Sequence, residues 1–264
     1  RHDRRALRSR LLMDLRRVGL PGHANAALNA YWDAAGEDEE ALSLLPFFMS
    51  LRAAVRLAVA VEAGDFVEAQ AFRELGLKLL DAQPAPLIAI GGLSGAGKSA
   101  VAKAVAPMLP GPAGARLLRT DVLRKWREGL ALDEKADAHA YTAERRSEVY
   151  DLLTAHAAAA LRAGASVVAD GTFQEEDARA AIGEAAQSAS FAGYWLQAPL
   201  SLRLDRIRRR SGGPSDADAK GAAYVAHQVE VGFDRFPDRC RRARGRWQWR
   251  QWCPASPKVF VFPL

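Results

Sequence analysis

The stretch LIAIGGLSGAGKSAVAKAVAPML, from Leu87 to Leu109, decides the fold of this 264-residue chain. An apolar run opens it, a glycine-rich octet follows, and an alanine-rich helical pattern closes it. The octet GLSGAGKS, residues 92–99, fits the pattern GxxxxGK[ST] between a strand and a helix. Such a loop wraps backbone N–H groups around phosphate oxygens at the N-terminus of the helix. The sequence therefore predicts a P-loop that binds the phosphates of ATP.

The P-loop pattern assigns a role to each side chain that can reach the phosphates. Lys98 is predicted to contact the β- and γ-phosphates, and the Ser99 hydroxyl to hold Mg²⁺. The order of strand, loop and helix argues against a glycine-rich turn that matches by chance. The residues predicted to bind ATP are Gly92, Ser94, Gly95, Ala96, Gly97, Lys98, Ser99 and Ala100.

Beyond Pro84 and Pro86, short apolar runs alternate with helical stretches, which indicates βαβ units and a parallel sheet. The predicted strands are 87–90, 116–119, 166–169, 191–196 and 259–262. The predicted helices are 99–108, 143–163, 175–189, 200–209 and 220–231. We predict an α/β fold in which a nucleoside-kinase-like parallel sheet is flanked by helices. It should span residues 86–264, with a lid near residues 203–220.

The first 85 residues show only helical patterns, broken by glycine and proline. One helix is expected to end at Gly19, and a longer helical region at Gly64. Asp65 is placed to cap the next helix. The sequence therefore predicts an all-helical segment, residues 1–85, ahead of the P-loop domain.

The strand after the P-loop helix ends in LLRTDVLRKW, where Asp121 and Arg124 are spaced as DxxR. At the carboxyl end of a neighbouring strand, a carboxylate can accept a hydroxyl proton while an arginine neutralises the phosphoryl group in transit. The alternative is that Asp121 caps the following helix and Arg124 is a solvated surface charge. The catalytic interpretation predicts a phosphotransferase.

Asp170 closes the third predicted strand in SVVADGTF, at the position of a Walker B carboxylate. It is a candidate ligand of Mg²⁺ beside Ser99, or a contact to the acceptor, with Thr172 supplying a hydroxyl. An aspartate before glycine at a strand end is also a common turn. The sequence does not separate these roles.

Several arginines precede the loop SGGPSDADAKG, and Arg203, Arg206 and Arg210 fall on one side of a helix by spacing. We predict that Arg206 and Arg210 meet phosphates when the lid closes. The alternative for each is a solvated basic face.

Composition bounds the partners and the compartment. The net charge of +6 and pI near 9.6 favour anionic ligands without choosing among them. Cys240 and Cys253 are too far apart for a close-spaced metal or redox motif, which favours a reducing cytoplasm. No apolar run is expected to reach the ~18 residues of a membrane span. The chain begins without Met, consistent with a fragment or processed product and with an upstream partner domain.

At this point a family resemblance is recognisable. The chain resembles the AAA-type, P-loop kinases of the zeta-toxin and polynucleotide-kinase-like group. Four features carry this resemblance: the P-loop segment, LLRTDVLRK, VVADGTF and the arginines before SDADA. LLMDLRRVGLPGHANAALNAYW and LLPFFMSLRAAVRLAVA resemble the last helices of an aminoglycoside-phosphotransferase-like domain, which precedes such kinases in bacterial proteins. The resemblance implies ATP and Mg²⁺ at the P-loop, Asp121 as general base and Arg124 as its phosphate-contacting partner. The HxD-type loop of a phosphotransferase-like domain is not found.

Three functions fit these features. The first is an ATP-dependent kinase that phosphorylates a hydroxyl of a small, sugar-like or aminoglycoside-like molecule. The second is a polynucleotide 5′-hydroxyl kinase that binds nucleic acid through the Arg- and Trp-rich tail, residues 235–264. The alternative for that tail is an arginine-covered, Trp-anchored surface that closes the sheet. The third is an ATP-sensing module without catalysis, against which the DxxR pair argues.

Overall fold

A computed structural model describes residues 2–36 and 38–209. Its α-helices are α1 His2–Arg17, α2 Pro21–Ala35, α3 Leu45–Glu62, α4 Phe66–Leu80, α5 Lys98–Val105, α6 Thr120–Arg127, α7 Ala143–Arg162, α8 Glu176–Ala185 and α9 Leu200–Arg208. Its strands are β1 Leu87–Gly92, β2 Arg116–Arg119, β3 Val167–Asp170 and β4 Phe191–Leu196. Short 3₁₀ helices lie at Glu39–Leu44, Ala106–Met108 and Ala138–Tyr141.

The strands form a parallel sheet in the order β2, β3, β1, β4. β1 and β4 pair in register from Leu87 opposite Phe191 to Gly92 opposite Leu196. Both the predicted fold class and the four strands within the described residues are confirmed. The strand predicted at 259–262 and the helix predicted at 220–231 lie outside the described residues. Helix α6 was not predicted, because β2 runs directly into it without a glycine or proline between them.

The chain divides into two compact units. The first unit contains the residues up to Pro86 together with Lys103–Leu117 and Ala158–Val168. The second contains Leu87–Ala102, Leu118–Ala157 and the chain from Ala169 onward. The domain division at residues 85 and 86 stays a prediction.

The N-terminal part of the first unit is helical, as the breaker pattern predicts. Helix α3 packs against α1 and α4, and its buried residues Met49 and Ala53 belong to this core. Asp65 caps α4 as expected, because its Oδ1 accepts a hydrogen bond of 2.9 Å from the Glu68 N–H. Helix α3 thus buries one narrow side, while apolar side chains such as Leu51, Val55 and Val59 are exposed.

Helix α2 presents a polar stripe to the chain segment that leads into β2. Asn25, Asn29 and Asp33 recur every fourth residue and are buried. The Asn25 Nδ2 donates to the carbonyls of Ala113 and Ala115, both at 2.8 Å. Within β2, the Leu117 N–H donates to Asn29 Oδ1 at 2.7 Å, so a side chain of α2 takes the place of a partner that another strand would otherwise supply.

Residues 39–62, which comprise a 3₁₀ helix and α3, form a 24-residue helical stretch whose most apolar 18-residue window has a mean hydropathy of 1.7. By length and composition alone such a stretch can cross a membrane, so the expectation that no apolar run reaches that length is wrong. In the structure 22% of its most apolar window is buried. One helix of this kind is weak evidence, because core helices pass the same test.

Candidate active site

The P-loop joins β1 to α5, as the sequence predicts. β1 ends at Gly92 and α5 begins at Lys98, so the loop between them lies at the N-terminus of α5. Backbone N–H groups at such a terminus can bind a phosphate. The Lys98 Nζ donates to the Leu93 carbonyl at 3.2 Å and is half-buried. The loop therefore has the strand, turn and helix that phosphate binding needs.

Two glycines of this loop are required by their surroundings. Gly95 has a φ of +80°, and a Cβ there would lie 2.5 Å from the backbone oxygen of Arg203 on α9. Gly97 has a φ of +103° and would place a Cβ 3.3 Å from the Arg206 guanidinium. A side chain at Gly95 would collide with α9, which explains why the loop needs glycine there.

Asp170 lies at the end of β3 and is buried, close enough to the Ser99 side chain for that hydroxyl to stabilise its charged form. Burial raises the pKa of Asp170 above its ordinary value of 3.8. The charge of Lys98 and the Ser99 hydroxyl oppose that rise, while the nearby Asp121 carboxylate adds to it. The sequence-predicted residues Lys98, Ser99, Asp121 and Asp170 are thus electrostatically coupled in one cluster.

This cluster fits Mg²⁺. Ser99 and Asp170 offer a hydroxyl and a carboxylate, the hard oxygen ligands that Mg²⁺ prefers. No group of three His, Cys, Asp or Glu residues that could hold a metal occurs within residues 2–36 and 38–209. Mg²⁺ needs no such group, since it commonly takes one or two protein ligands and completes its shell with water and phosphate. A cation at Asp170 would also relieve the burial of its charge.

Asp121 and Arg124 form an ion pair on the first turns of α6, with Arg124 Nη1 3.0 Å from Asp121 Oδ1. The Arg124 side chain is 10% exposed and that of Asp121 33% exposed. The guanidinium also stacks on the Tyr141 ring at 4.5 Å. The alternative of a helix cap and a solvated charge is wrong, because Arg119 is the N-cap of α6 and Arg124 is buried.

One atom of this pair is left over. Arg124 Nε is buried and has no hydrogen-bond partner among the residues that the structure describes. An orphaned donor in a buried guanidinium costs free energy unless a ligand oxygen completes it. The arrangement therefore fits an anionic ligand beside Asp121.

The arginines of α9 meet the P-loop itself. Arg203 Nε donates to the Ser94 carbonyl at 3.0 Å. Arg206 Nη1 donates to the Gly95 and Ala96 carbonyls at 3.3 and 3.1 Å. A phosphate contact by Arg206 stays a prediction, and Arg210 lies outside the described residues together with most of the predicted lid. Sequence spacing placed both described arginines on one face but did not indicate these carbonyls.

The structure also adds residues that the sequence analysis did not single out. The Tyr150 hydroxyl accepts a hydrogen bond of 2.7 Å from the Phe173 N–H and lies 3.0 Å from Thr172 Oγ1. Arg179 Nη1 donates to the carbonyls of Phe173 and Gln174 at 2.9 and 2.6 Å. Both residues lie on helices and reach the loop after β3 only in three dimensions. No motif spacing relates them to Asp170.

Comparison with known proteins places this site in a family. Residues 87–230 match the family model AAA_33, described as an AAA domain, and this range is more than half of the chain. No curated protein matches the chain. Among solved structures, the tunicamycin resistance protein of Deinococcus radiodurans is similar at 19% identity and a TM-score of 0.35, over 56% of this chain and 97% of that one. At that level of similarity nothing about activity is transferred from that protein.

Proposed function

The chain belongs to this AAA domain family, and from that premise we propose that it is an ATP-dependent phosphotransferase that phosphorylates a hydroxyl of a small molecule. The single observation that carries the proposal is the Asp121–Arg124 ion pair, whose carboxylate keeps a third of its surface exposed. That carboxylate is also coupled electrostatically to Asp170 in the P-loop cluster. A site that only senses ATP needs no such pair.

The roles follow from the chemistry of the reaction. The acceptor oxygen attacks the γ-phosphorus, the bond to the bridging oxygen of ADP breaks, and the acceptor proton passes to Asp121. Lys98 and the backbone N–H groups of the loop hold the phosphates. Arg124 neutralises charge on the transferred group through donors such as its orphaned Nε.

Ser99 and Asp170 are the residues that would hold Mg²⁺, which when bound supplies positive charge at the phosphate oxygens. The α9 arginines contribute by orienting the loop, because they hold its backbone carbonyls. The N–H of a peptide group points opposite to its carbonyl, so holding the carbonyls keeps the N–H groups available to phosphate. Water exclusion and the closing element are assigned to the predicted lid.

Transfer from γ-labelled ATP into a panel of sugars, aminoglycosides, nucleosides and 5′-hydroxyl oligonucleotides tests the proposal. Label should enter one acceptor class with wild-type protein and be lost by more than about a thousandfold in Lys98→Ala. Lys103→Ala, on the exposed side of the same helix, is the matched control and should transfer normally.

The outcomes separate the three candidate functions. Label entering only 5′-hydroxyl oligonucleotides would replace the small-molecule acceptor with a polynucleotide. Tight ATP binding without any labelled product would overturn the phosphotransferase and leave an ATP-sensing module.

A further inference from the structure

The loop after β3, residues 171–174, is held in a strained conformation. Phe173 has a φ of +48°, in the left-handed region that residues with a Cβ rarely adopt, and its side chain is fully buried. Tyr150 on α7 accepts a hydrogen bond from the Phe173 N–H, and Arg179 on α8 donates one to the Phe173 carbonyl, so two helices hold the loop. The Thr172 carbonyl also accepts a hydrogen bond of 3.3 Å from the Gly92 N–H, where the P-loop begins.

Hydrogen-bond counting assigns a direction to the bond between Tyr150 and Thr172, whose distance alone fits either donor. The Tyr150 hydroxyl accepts from the Phe173 N–H and must place its single proton on another acceptor, because the side chain is buried. Within the described residues, Thr172 Oγ1 at 3.0 Å is the acceptor in reach. Tyr150 therefore donates to Thr172, and burial, which raises the pKa of Tyr150, keeps that proton in place.

The consequence concerns the proton that Thr172 keeps. Since its oxygen accepts from Tyr150, the Thr172 hydroxyl is free to donate elsewhere, and the residue is half-exposed. Tyr150 lies close enough to Arg124 for that charge to lower its pKa against the effect of burial. This coupling associates the Tyr150–Thr172 pair with the ion pair that holds the proposed base.

We propose that Tyr150 is a positioning residue, which orients the Thr172 hydroxyl as a hydrogen-bond donor to an oxygen of the acceptor. The inference rests on the proposed phosphotransferase function and extends it to acceptor recognition. Its ligand is an acceptor with a second oxygen near the reacting hydroxyl, as in a polyol or a sugar.

A double-mutant cycle tests this role in the full chain, with Tyr150→Phe, Thr172→Val and the double variant. Each single change should lower kcat/KM for the acceptor that the panel identifies by about tenfold, the scale of one hydrogen bond. The double variant should be no slower than Thr172→Val, because Tyr150 acts through Thr172. Thr172→Ser should restore transfer, and KM for ATP should not change. Tyr31→Phe on α2 is the matched control.

Additive losses in kcat/KM, or a rise in KM for ATP that accounts for the loss, would overturn the positioning role. Urea unfolding of the same four proteins needs no acceptor, and additive stability changes there would overturn the Tyr150–Thr172 bond itself. Coupling in stability without coupling in transfer would make the pair purely structural. Absence of transfer by the wild-type protein would instead overturn the proposed function, and the acceptor role with it.

Discussion

Two groups of arginine and carboxylate, one in each compact unit, differ in how completely their polar atoms are used. Arg116 is 1% exposed and binds Asp33 at 2.8 Å and Glu39 at 3.0 Å, with both carboxylates buried. Arg124 binds one carboxylate, Asp121, and leaves it a third exposed. The first arginine is held by two buried carboxylates, whereas the second group keeps an exposed carboxylate that a ligand can reach.

The difference teaches how to separate structural from functional charge. In the first group Arg116 Nη1 also donates to the Asn29 side chain and the Leu117 carbonyl, so both Nε and Nη1 are bonded to buried protein oxygens. In the second, the buried Arg124 Nε has no partner among the described residues. Buried donors without a partner also occur at Arg17, Trp32 and Arg52, so the unfilled Nε of Arg124 indicates a ligand only together with its place beside the exposed Asp121 carboxylate.

Removing Arg116 should have the largest effect on stability. Arg116→Ala leaves the Asp33 and Glu39 carboxylates buried without their cation, which should lower the free energy of unfolding by about 3–5 kcal/mol. Urea unfolding measures this loss. Arg10→Ala is the control, because its pair with Asp14 is exposed and 3.8 Å long and should contribute less than about 0.5 kcal/mol. Equal losses of unfolding free energy in the two variants would mean that the buried pairs of Arg116 stabilise the fold no more than an exposed pair does.

The exposed carboxylate should affect chemistry rather than folding. Asp121→Asn keeps the shape but removes the proton acceptor, so phosphoryl transfer should slow by about a hundredfold. Nucleotide affinity, measured by titration with a fluorescent ATP analogue, should stay near the wild-type value. Asp133→Asn, an exposed carboxylate in the same unit, is the control. Near-normal transfer by Asp121→Asn would remove the general-base assignment.

An arginine that holds P-loop carbonyls should have an intermediate effect. Arg206→Ala removes the donor to Gly95 and Ala96, and the loosened loop should bind ATP about tenfold more weakly. The same titration measures the change. Arg208→Ala, exposed on the same helix, should bind normally, and equal weakening in both variants would point to net charge instead of loop geometry.

The smallest effect should come from the buried carboxylate, and it should be stabilising. With divalent cations removed by EDTA, burial raises the pKa of Asp170, so the free energy of unfolding falls as pH rises above the ordinary value of 3.8, and the penalty is complete above the raised pKa. Asp170→Asn removes this penalty and should raise the free energy of unfolding at pH 7 by about 1 kcal/mol.

The gain should vanish as pH falls through the raised pKa toward the ordinary value of 3.8, because wild-type Asp170 is then protonated in both states. Urea unfolding across that pH range measures it. A gain independent of pH would mean that burial of the charge is not its cause.

The sequence was sufficient to predict features that depend on residues close together in the chain. The P-loop, the four described strands and the Asp65 cap follow from spacing, apolar runs and turn residues within a few positions. The DxxR pair was also predictable, because three residues on a helix bring its side chains together. Helix α6 itself was missed for lack of a breaker.

The remaining contacts join residues that are far apart in the chain. Nothing near Arg116 announces Asp33 or Glu39, although the four-residue spacing of Asn25, Asn29 and Asp33 was a signal of a polar helix face. Likewise, Tyr150 and Arg179 reach the loop after β3 from two different helices.

By itself, then, the sequence determined that this protein has a P-loop and an α/β sheet, since both arise from periodicity and backbone freedom in short segments. Only the tertiary structure decided that Arg116 is held by two buried carboxylates, whereas Arg124 keeps an unfilled donor for a ligand. The physical reason is that hydrogen bonding depends on every group within about 3 Å in space, and the side chains that accept from Arg116 lie 77 to 87 residues away along the chain.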